Sequence, residues 1–503
     1  PAVLRVLLED SPNTLDPAGT GYNQASINIS WNVYDRLITY GTTPVDGVPG
    51  AFTYDYDTIV GQAAERYEVS ADGKQITFHM RRGARFHDGS PVTAHDAKWS
   101  LDRVVSVTTG KAQMATGSLT EAAQFDVIDD MTLRVTVPQA DRFTLPDLCV
   151  LFPAIFNSKV CKANATTDDP WAQNWLKTNV AGGGPYKLVR FAPDQGFMLE
   201  AFADWTNGPA PASTRVAAQV VPVAASRRAA AERGEADIVR GLGGRDIHDL
   251  KSRKDIRLLG IPNPGAVTVI ALNSQMPPFD NKKVRQAIAH AVPYQQIFDS
   301  VLYSRGAPMF GGKADAGLSF PQPMPYTYDL DRARALLAEA DMANGFETTF
   351  VIDSALAQLA EPTAVLLQES LGKIGIKLKI EKLPSGQMAS AQVAHKLPMS
   401  MATGTAWLRN PDYFFRVYYA SPTRWNFGNF KNDEMNRLTA ETRFETDRAV
   451  YDTKVRRMID IARDEVPMIL MWSAFQDTVV SPGLQGYTYM FHGQLELRHL
   501  KKA

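Results

Sequence analysis

The sequence predicts an α/β fold, and three observations carry that prediction. Short runs of alternating apolar residues recur along the chain, and amphipathic helical stripes lie between them. The 503 residues also exceed what one hydrophobic core organises, a length that suggests about three domains. The chain enters a strand pattern at once, with Val3, Leu4, Val6 and Leu7. Ile76, Phe78 and Met80 alternate with polar neighbours, as do Leu133, Val135 and Val137, so each set reads as a half-buried strand. Thr93 is a natural N-cap for a helix around Ala97 to Val104. Val267 to Leu272 is a continuous apolar run suited to a buried strand. Asp280 stands where an N-cap belongs, and Val284, Ala287, Ile288 and Ala291 then recur at i, i+3, i+4, i+7. Leu366, Leu367, Leu371 and Ile374 form a second stripe that stops at Gly375. Ile376, Leu378 and Ile380 resume the alternation.

Gly and Pro punctuate these patterns at Thr42 to Gly50, Ala181 to Pro185, Ile261 to Gly265 and Pro482–Gly483. Breaks so unevenly spaced favour discontinuous domains, with the chain crossing out of one and back. Hydrophobic residues make up 45% and charged ones 21%, which excludes wholesale disorder. Lys plus Arg is 53 against 54 Asp plus Glu, for a net charge of −1. A nucleic-acid partner is therefore not expected, because such binders need clustered excess cations. No apolar run approaches the ~18–20 residues of a membrane-spanning helix. The chain begins at Pro1 and not Met, as it would if a leader had been removed. Cys149 and Cys161, with eleven residues between them, leave a local disulfide and two buried thiols both open.

Catalytic templates do not emerge. Gly182-Gly183-Gly184-Pro185 lacks the ending of a phosphate-binding loop, and Pro185 removes a backbone donor where one is needed. His87-Asp88 and His95-Asp96 straddle a Gly-Ser-Pro turn without a Cys/His cluster, so turn and capping roles explain them. There is no G-x-S-x-G elbow. The anomaly is aromatic: nine rings fall within the 26 residues from Thr405 to Phe430, in a chain that is 10% aromatic. Arg409, Arg416 and Arg424 share that window with one acid, Asp412. Aromatic walls with a few orienting polar groups suit a small-ligand cleft. Trp407 and Tyr418 are the best candidates there, while the Phe414–Phe415 pair suits a core.

A longer set of motifs points the same way. Asp72-Gly73 leads through an alternating strand to Arg82-Gly83, Phe86-His87-Asp88-Gly89 and Thr93-Ala94-His95-Asp96. Thr14-Leu15-Asp16-Pro17 and Tyr34-Asp35-Arg36-Leu37 precede it, and Gly184-Pro185-Tyr186, Gly234-Glu235-Ala236-Asp237 and Pro278 to Ile288 follow it in order. Together these resemble the family 5 extracellular solute-binding proteins, the dipeptide, oligopeptide and nickel receptors of ABC importers. The resemblance implies a two-lobed clamshell of the large type II class, with an extra inserted subdomain. Residues 1–45, 181–265 and 481–503 would form lobe I, residues 46–180 the inserted subdomain and residues 266–480 lobe II. It implies no catalysis and no cofactor, but capture of a short peptide or amino-acid-like solute between the lobes and delivery to membrane permease subunits. A non-peptide organic anion, or a chelated metal such as nickel, is the alternative cargo. The receptor would act as a monomer in the periplasm, or as a cell-envelope lipoprotein, after removal of a signal peptide. That exported location makes a Cys149–Cys161 disulfide the expectation.

The ligand would meet Tyr22 and Asn23, which follow the first strand, and Trp407, Arg409, Asn410, Tyr418 and Trp472. Trp472, after the apolar run Met468 to Met471, is expected at the cleft mouth or hinge. In peptide-binding relatives an Asp shortly after the Trp pairs with the ligand ammonium. Here the stretch reads Trp407-Leu408-Arg409-Asn410-Pro411-Asp412, with Arg409 and Asn410 where that acid is expected. An arginine there suits a ligand anion.

Overall fold

The apolar run at the start of the chain forms the strand Val3–Leu8, which lies at the middle of a seven-stranded sheet. The computed structural model describes residues 3–263, 265–313, 317–490 and 492–502. It divides into two units, Pro1–Gly260 with Asp477–Ala503, and Ile261–Gln476. The sequence placed the crossings at 265/266 and 480/481, five and four residues beyond these divisions. Pro264 lies outside the described residues.

In the first unit the sheet order is Arg257–Leu259, Thr478–Val480, Ile238–Arg240, Val3–Leu8, Arg215–Val220, Gly196–Ala201, Tyr186–Ala192. Val3–Leu8 runs parallel to both of its neighbours. The chain pairs Arg215–Val220 on one side of it, then passes through the helix Ala224–Glu232 to Ile238–Arg240 on the other side. The direction of winding switches there, and the carboxyl ends of the three parallel strands open on one edge. Open α/β sheets bind their ligands at such a switch.

Two smaller sheets complete the strands of this unit's N-terminal half. Ala64–Val69, Gln75–Met80, Thr132–Thr136 and Phe125–Asp129 form an antiparallel four-stranded sheet. Ile76, Phe78 and Met80 are buried, as are Leu133 and Val135, because alternation turns one face of each strand inward. The helix Ala94–Val104 opens with a capping box between Thr93 and Asp96. The Thr42 to Gly50 break is the tip of a hairpin between Ile38–Pro44 and Ala51–Gly61, closed by Val45 N donating to Ala51 O at 3.0 Å. The glycines at 182 and 184 have a packing cause. A Cβ on Gly182 would stand 2.0 Å from the Val33 carbonyl oxygen, and one on Gly184 2.6 Å from the Val33 carbonyl carbon. The crossing segment therefore passes against the end of the helix Gln24–Val33. It meets the Phe86-His87 turn on its other side, where His87 Nε2 lies 3.0 Å from the Gly184 oxygen.

Buried polar pairs lock this unit. Asp16 of the Thr-Leu-Asp-Pro motif takes both arms of Arg103, with Nη1 at 3.1 Å, and both residues are almost wholly buried. The helix Gln24–Val33 clasps the C-terminal segment through side chains. Asn28 Oδ1 accepts from Leu495 N, Asn32 accepts from Leu497 N and donates to Leu495 O, and Trp31 Nε1 donates to Glu496.

The second unit has a six-stranded sheet in the order Gly306–Pro308, Met468–Ala474, Ala266–Leu272, Met399–Thr405, Glu347–Asp353, Lys377–Leu383. The predicted stripes form the helices Lys282–Ala291 and Ala357–Gly372. The cap of the first is Asn281 and not Asp280: its side chain accepts from Lys283 N at 2.9 Å. Gly375 ends the second stripe at φ +84°, a conformation glycine adopts without strain. The entering and leaving segments pair with each other, Gln476 N donating to Ile261 O at 2.8 Å and Asn263 N to Ala474 O at 3.1 Å.

Candidate functional site

The loop after Val3–Leu8 carries Tyr22 and Asn23 to the start of the helix Gln24–Val33. Asn23 is the N-cap. Its Oδ1 accepts from Ser26 N at 3.0 Å and Ser26 Oγ at 2.8 Å, and its Nδ2 donates to Ser11 O at 2.8 Å. Its side chain is thus committed to the helix start and to the loop. Tyr22 stands half-buried with its ring edge-to-face to Phe152, centroids 5.7 Å apart, and burial raises its pKa.

The same strand edge holds three charged residues. Arg227 is buried and saturated, donating to the carbonyl oxygens of Arg240, Val221, Pro222 and Gly241 at 2.6 to 3.1 Å. It thereby ties together the ends of two parallel strands, and Glu9 lies 3.8 Å from it. Arg240, the last residue of Ile238–Arg240, is half-buried, and its Nη1 is shut off from solvent with no hydrogen-bond partner. The site reading from sequence missed Arg240. Its signal was a cation closing the apolar pair Ile238-Val239 just before Gly241.

In the second unit Thr405 ends the strand Met399–Thr405, and Ala406 N donates to Gly265 O at 2.8 Å. Trp407 is half-buried, Arg409 exposed and Asn410 half-buried. Asn410 immediately precedes the helix Pro411–Tyr418, whose first residue, a proline, needs no hydrogen-bond acceptor for its nitrogen. Asp412 turns inward, and its Oδ1 accepts from Tyr451 Oη at 2.5 Å within the unit. Phe414 and Phe415 are core, with Phe415 stacked on Phe320 at 4.3 Å.

Three expected site features take other roles. Tyr418 is a strut: its hydroxyl accepts from Thr405 N at 2.7 Å and donates to Thr405 O at 3.0 Å. Its ring lies 3.0 Å from where a Cβ on Gly404 would stand, so this glycine makes room for it. Trp472 faces no opening, because it is 1% exposed in a strand whose residues Met468 to Ser473 are all buried. Cys149 and Cys161 are free thiols and not a disulfide. They sit in different surroundings: Cys149 ends the helix Thr144–Leu148 near Arg36 and Asp147, whereas Cys161 lies in Ser158–Ala163 near Arg103, Asp16 and Asp96. Burial pushes both thiols up, that of Cys161 to about 12, so neither carries thiolate at neutral pH.

Among the described residues no three His, Cys, Asp or Glu gather in a metal-holding group, and no helix is long and apolar enough to cross a membrane. The two strand edges offer aromatic faces, amides and guanidinium groups.

Residues 58–426 match the model described as bacterial extracellular solute-binding proteins, family 5 Middle. A probable D,D-dipeptide-binding periplasmic protein of Escherichia coli K12 is 26% identical over 483 residues, spanning 95% of this chain and 90% of that protein. Heme-binding protein A of Haemophilus influenzae is 26% identical over 501 residues, spanning 93% and 86%. The solved Helicobacter pylori ABC transporter-associated periplasmic binding protein, in complex with the peptide STSA, has a TM-score of 0.79 at 22% identity, covering 100% of this chain and 98% of that one. Relatives named for a dipeptide and for heme share one scaffold, so the scaffold sets the role and not the solute. The family model matched along most of the chain identifies it: the chain belongs to family 5 of the bacterial extracellular solute-binding proteins, receptors that serve ABC importers.

Proposed function

We propose that this receptor captures a short peptide or amino-acid-derived solute whose anionic group is received by Arg409. It works as an exported monomer of the bacterial cell envelope, without catalysis, and hands its solute to permease subunits. The observation that carries the reading is the fate of charge in the stretch from Trp407 to Asp412. Its acid is buried and hydrogen-bonded by Tyr451, while its arginine is exposed just before the helix Pro411–Tyr418. The stretch therefore places a cation where a free ammonium would need a carboxylate partner.

Mass spectrometry of small molecules released from gently denatured protein identifies the solute, and calorimetry of that solute on wild type and Arg409→Ala tests the reading. Loss of a charge-assisted pair in a desolvated site costs about 2–5 kcal/mol. That corresponds to roughly 30-fold or more in affinity. An unchanged affinity, or a solute without an anionic group, overturns the reading.

A further inference from the structure

We propose that Arg240 is an anion-recognition residue, so that the receptor prefers solutes that bring it a carboxylate. The inference rests on the solute-capture role proposed above and not on Arg409. Four observations converge on Arg240. It closes one of three parallel strands at the winding switch of the seven-stranded sheet, where such sheets bind ligands. No carboxylate among the described residues pairs with it. Glu9, which directly follows Val3–Leu8, lies instead against Gly241, where a Cβ would stand 2.0 Å from its carboxyl carbon. The Nη1 of Arg240 is dry and has no acceptor, a costly state for a charged donor. The side chain as a whole is only half-buried, so its fork can turn to an arriving carboxylate and take it bidentately.

The surroundings leave room for such a group. Nη2 lies 3.1 Å from where a Cβ on Gly493 would stand, and Gln24 donates to the Gly493 carbonyl at 3.0 Å. Gln24 follows Tyr22 and Asn23 directly. Arg240 thus belongs to the same edge as the loop expected to touch ligand, and the missing side chain at 493 keeps its front open. Arg227, next to it, shows what an architectural arginine looks like here: every arm is spent on a carbonyl oxygen.

The test uses the full chain and two blocked dipeptides that differ in one charge, N-acetyl-Ala-Glu with two carboxylates and N-acetyl-Ala-Gln with one. Calorimetry on the wild type is expected to show the dianion bound at least 10-fold more tightly. In Arg240→Gln that preference falls to within about 2-fold, while affinity for the monoanion stays within about 2-fold of wild type. Arg240→Lys, which keeps charge but not the fork, falls between. The thermal midpoint of Arg240→Gln without ligand is expected to equal or exceed that of wild type, since no bond is lost. A structural arginine would lower it. Equal binding of the two peptides by wild type, binding of neither, or an unchanged preference in Arg240→Gln overturns the inference. Arg409→Ala separates the two readings. If it leaves both affinities intact while Arg240→Gln still abolishes the preference, only the Arg409 reading fails.

Discussion

The seam beneath the helix Gln24–Val33 and the strand edge beside its first residue belong to one unit, yet they treat charge in opposite ways. In the seam, Asp16 takes both arms of Arg103, and Glu496 accepts from Arg498 Nε at 2.9 Å and Nη2 at 2.8 Å. At the edge, Arg240 has no such partner. A charge buried for architecture is stable only when paired and hydrogen-bonded. A cation left without that pairing at a strand edge is therefore more informative about function than several paired ones.

The comparison breaks most visibly in the seam. Arg103→Met should leave the Asp16 carboxylate buried without its counterion and cost about 3–5 kcal/mol, read as a fall in the urea midpoint. A loss below about 0.5 kcal/mol would place Arg103 among ordinary surface residues and remove the contrast.

A pH series sharpens the same point. Burial alone would raise the Glu496 carboxyl, but the Arg498 guanidinium and its hydrogen bonds outweigh it and bring the pKa down from 4.5 to about 2. A carboxyl depressed in the folded state contributes stability that is complete above its unfolded pKa and is lost as pH falls towards the folded one. The window is therefore from about 4.5 down to about 2, and the contribution at stake is about 3 kcal/mol. Wild type should lose its advantage over Glu496→Gln as pH drops through that window, measured by urea unfolding at each pH. A gap that stays constant down to pH 2 would show that Glu496 is not the titrating group.

The smallest effect concerns Asn23. As an N-cap it is worth about 1 kcal/mol of stability, lost in Asn23→Ala and largely kept in Asn23→Ser. If Asn23→Ala leaves the thermal midpoint untouched, the cap is not what holds this residue. Its amide would then belong with Arg240 on the functional side of the comparison.

Much of the architecture was legible because it follows from local periodicity. Ile76, Phe78 and Met80 announce a strand with one buried face, and Val284 to Ala291 a helix with one buried stripe. Neither needs information from elsewhere in the chain. Asp280 and Asn281 differ by one position as caps, a choice that local sequence leaves open because both side chains can accept the same backbone hydrogen bonds. Partnership at a distance was not legible. Cys149 and Cys161 are near in sequence and far apart in surroundings, Tyr418 is consumed by Thr405, and Trp472 is covered.

By itself the sequence determined the α/β class, the crossing of the chain between two units, the family motifs and the presence of an arginine where an acid is expected at 409. These depend on residue type and short-range order. Only the tertiary structure decided which arginines have partners. Asp16 meets Arg103 across 87 positions, and Trp31 meets Glu496 across 465. Pairing over such separations is set by how strands and helices pack, and no spacing in the chain encodes it. The same packing leaves Arg240 at a strand end with no acceptor.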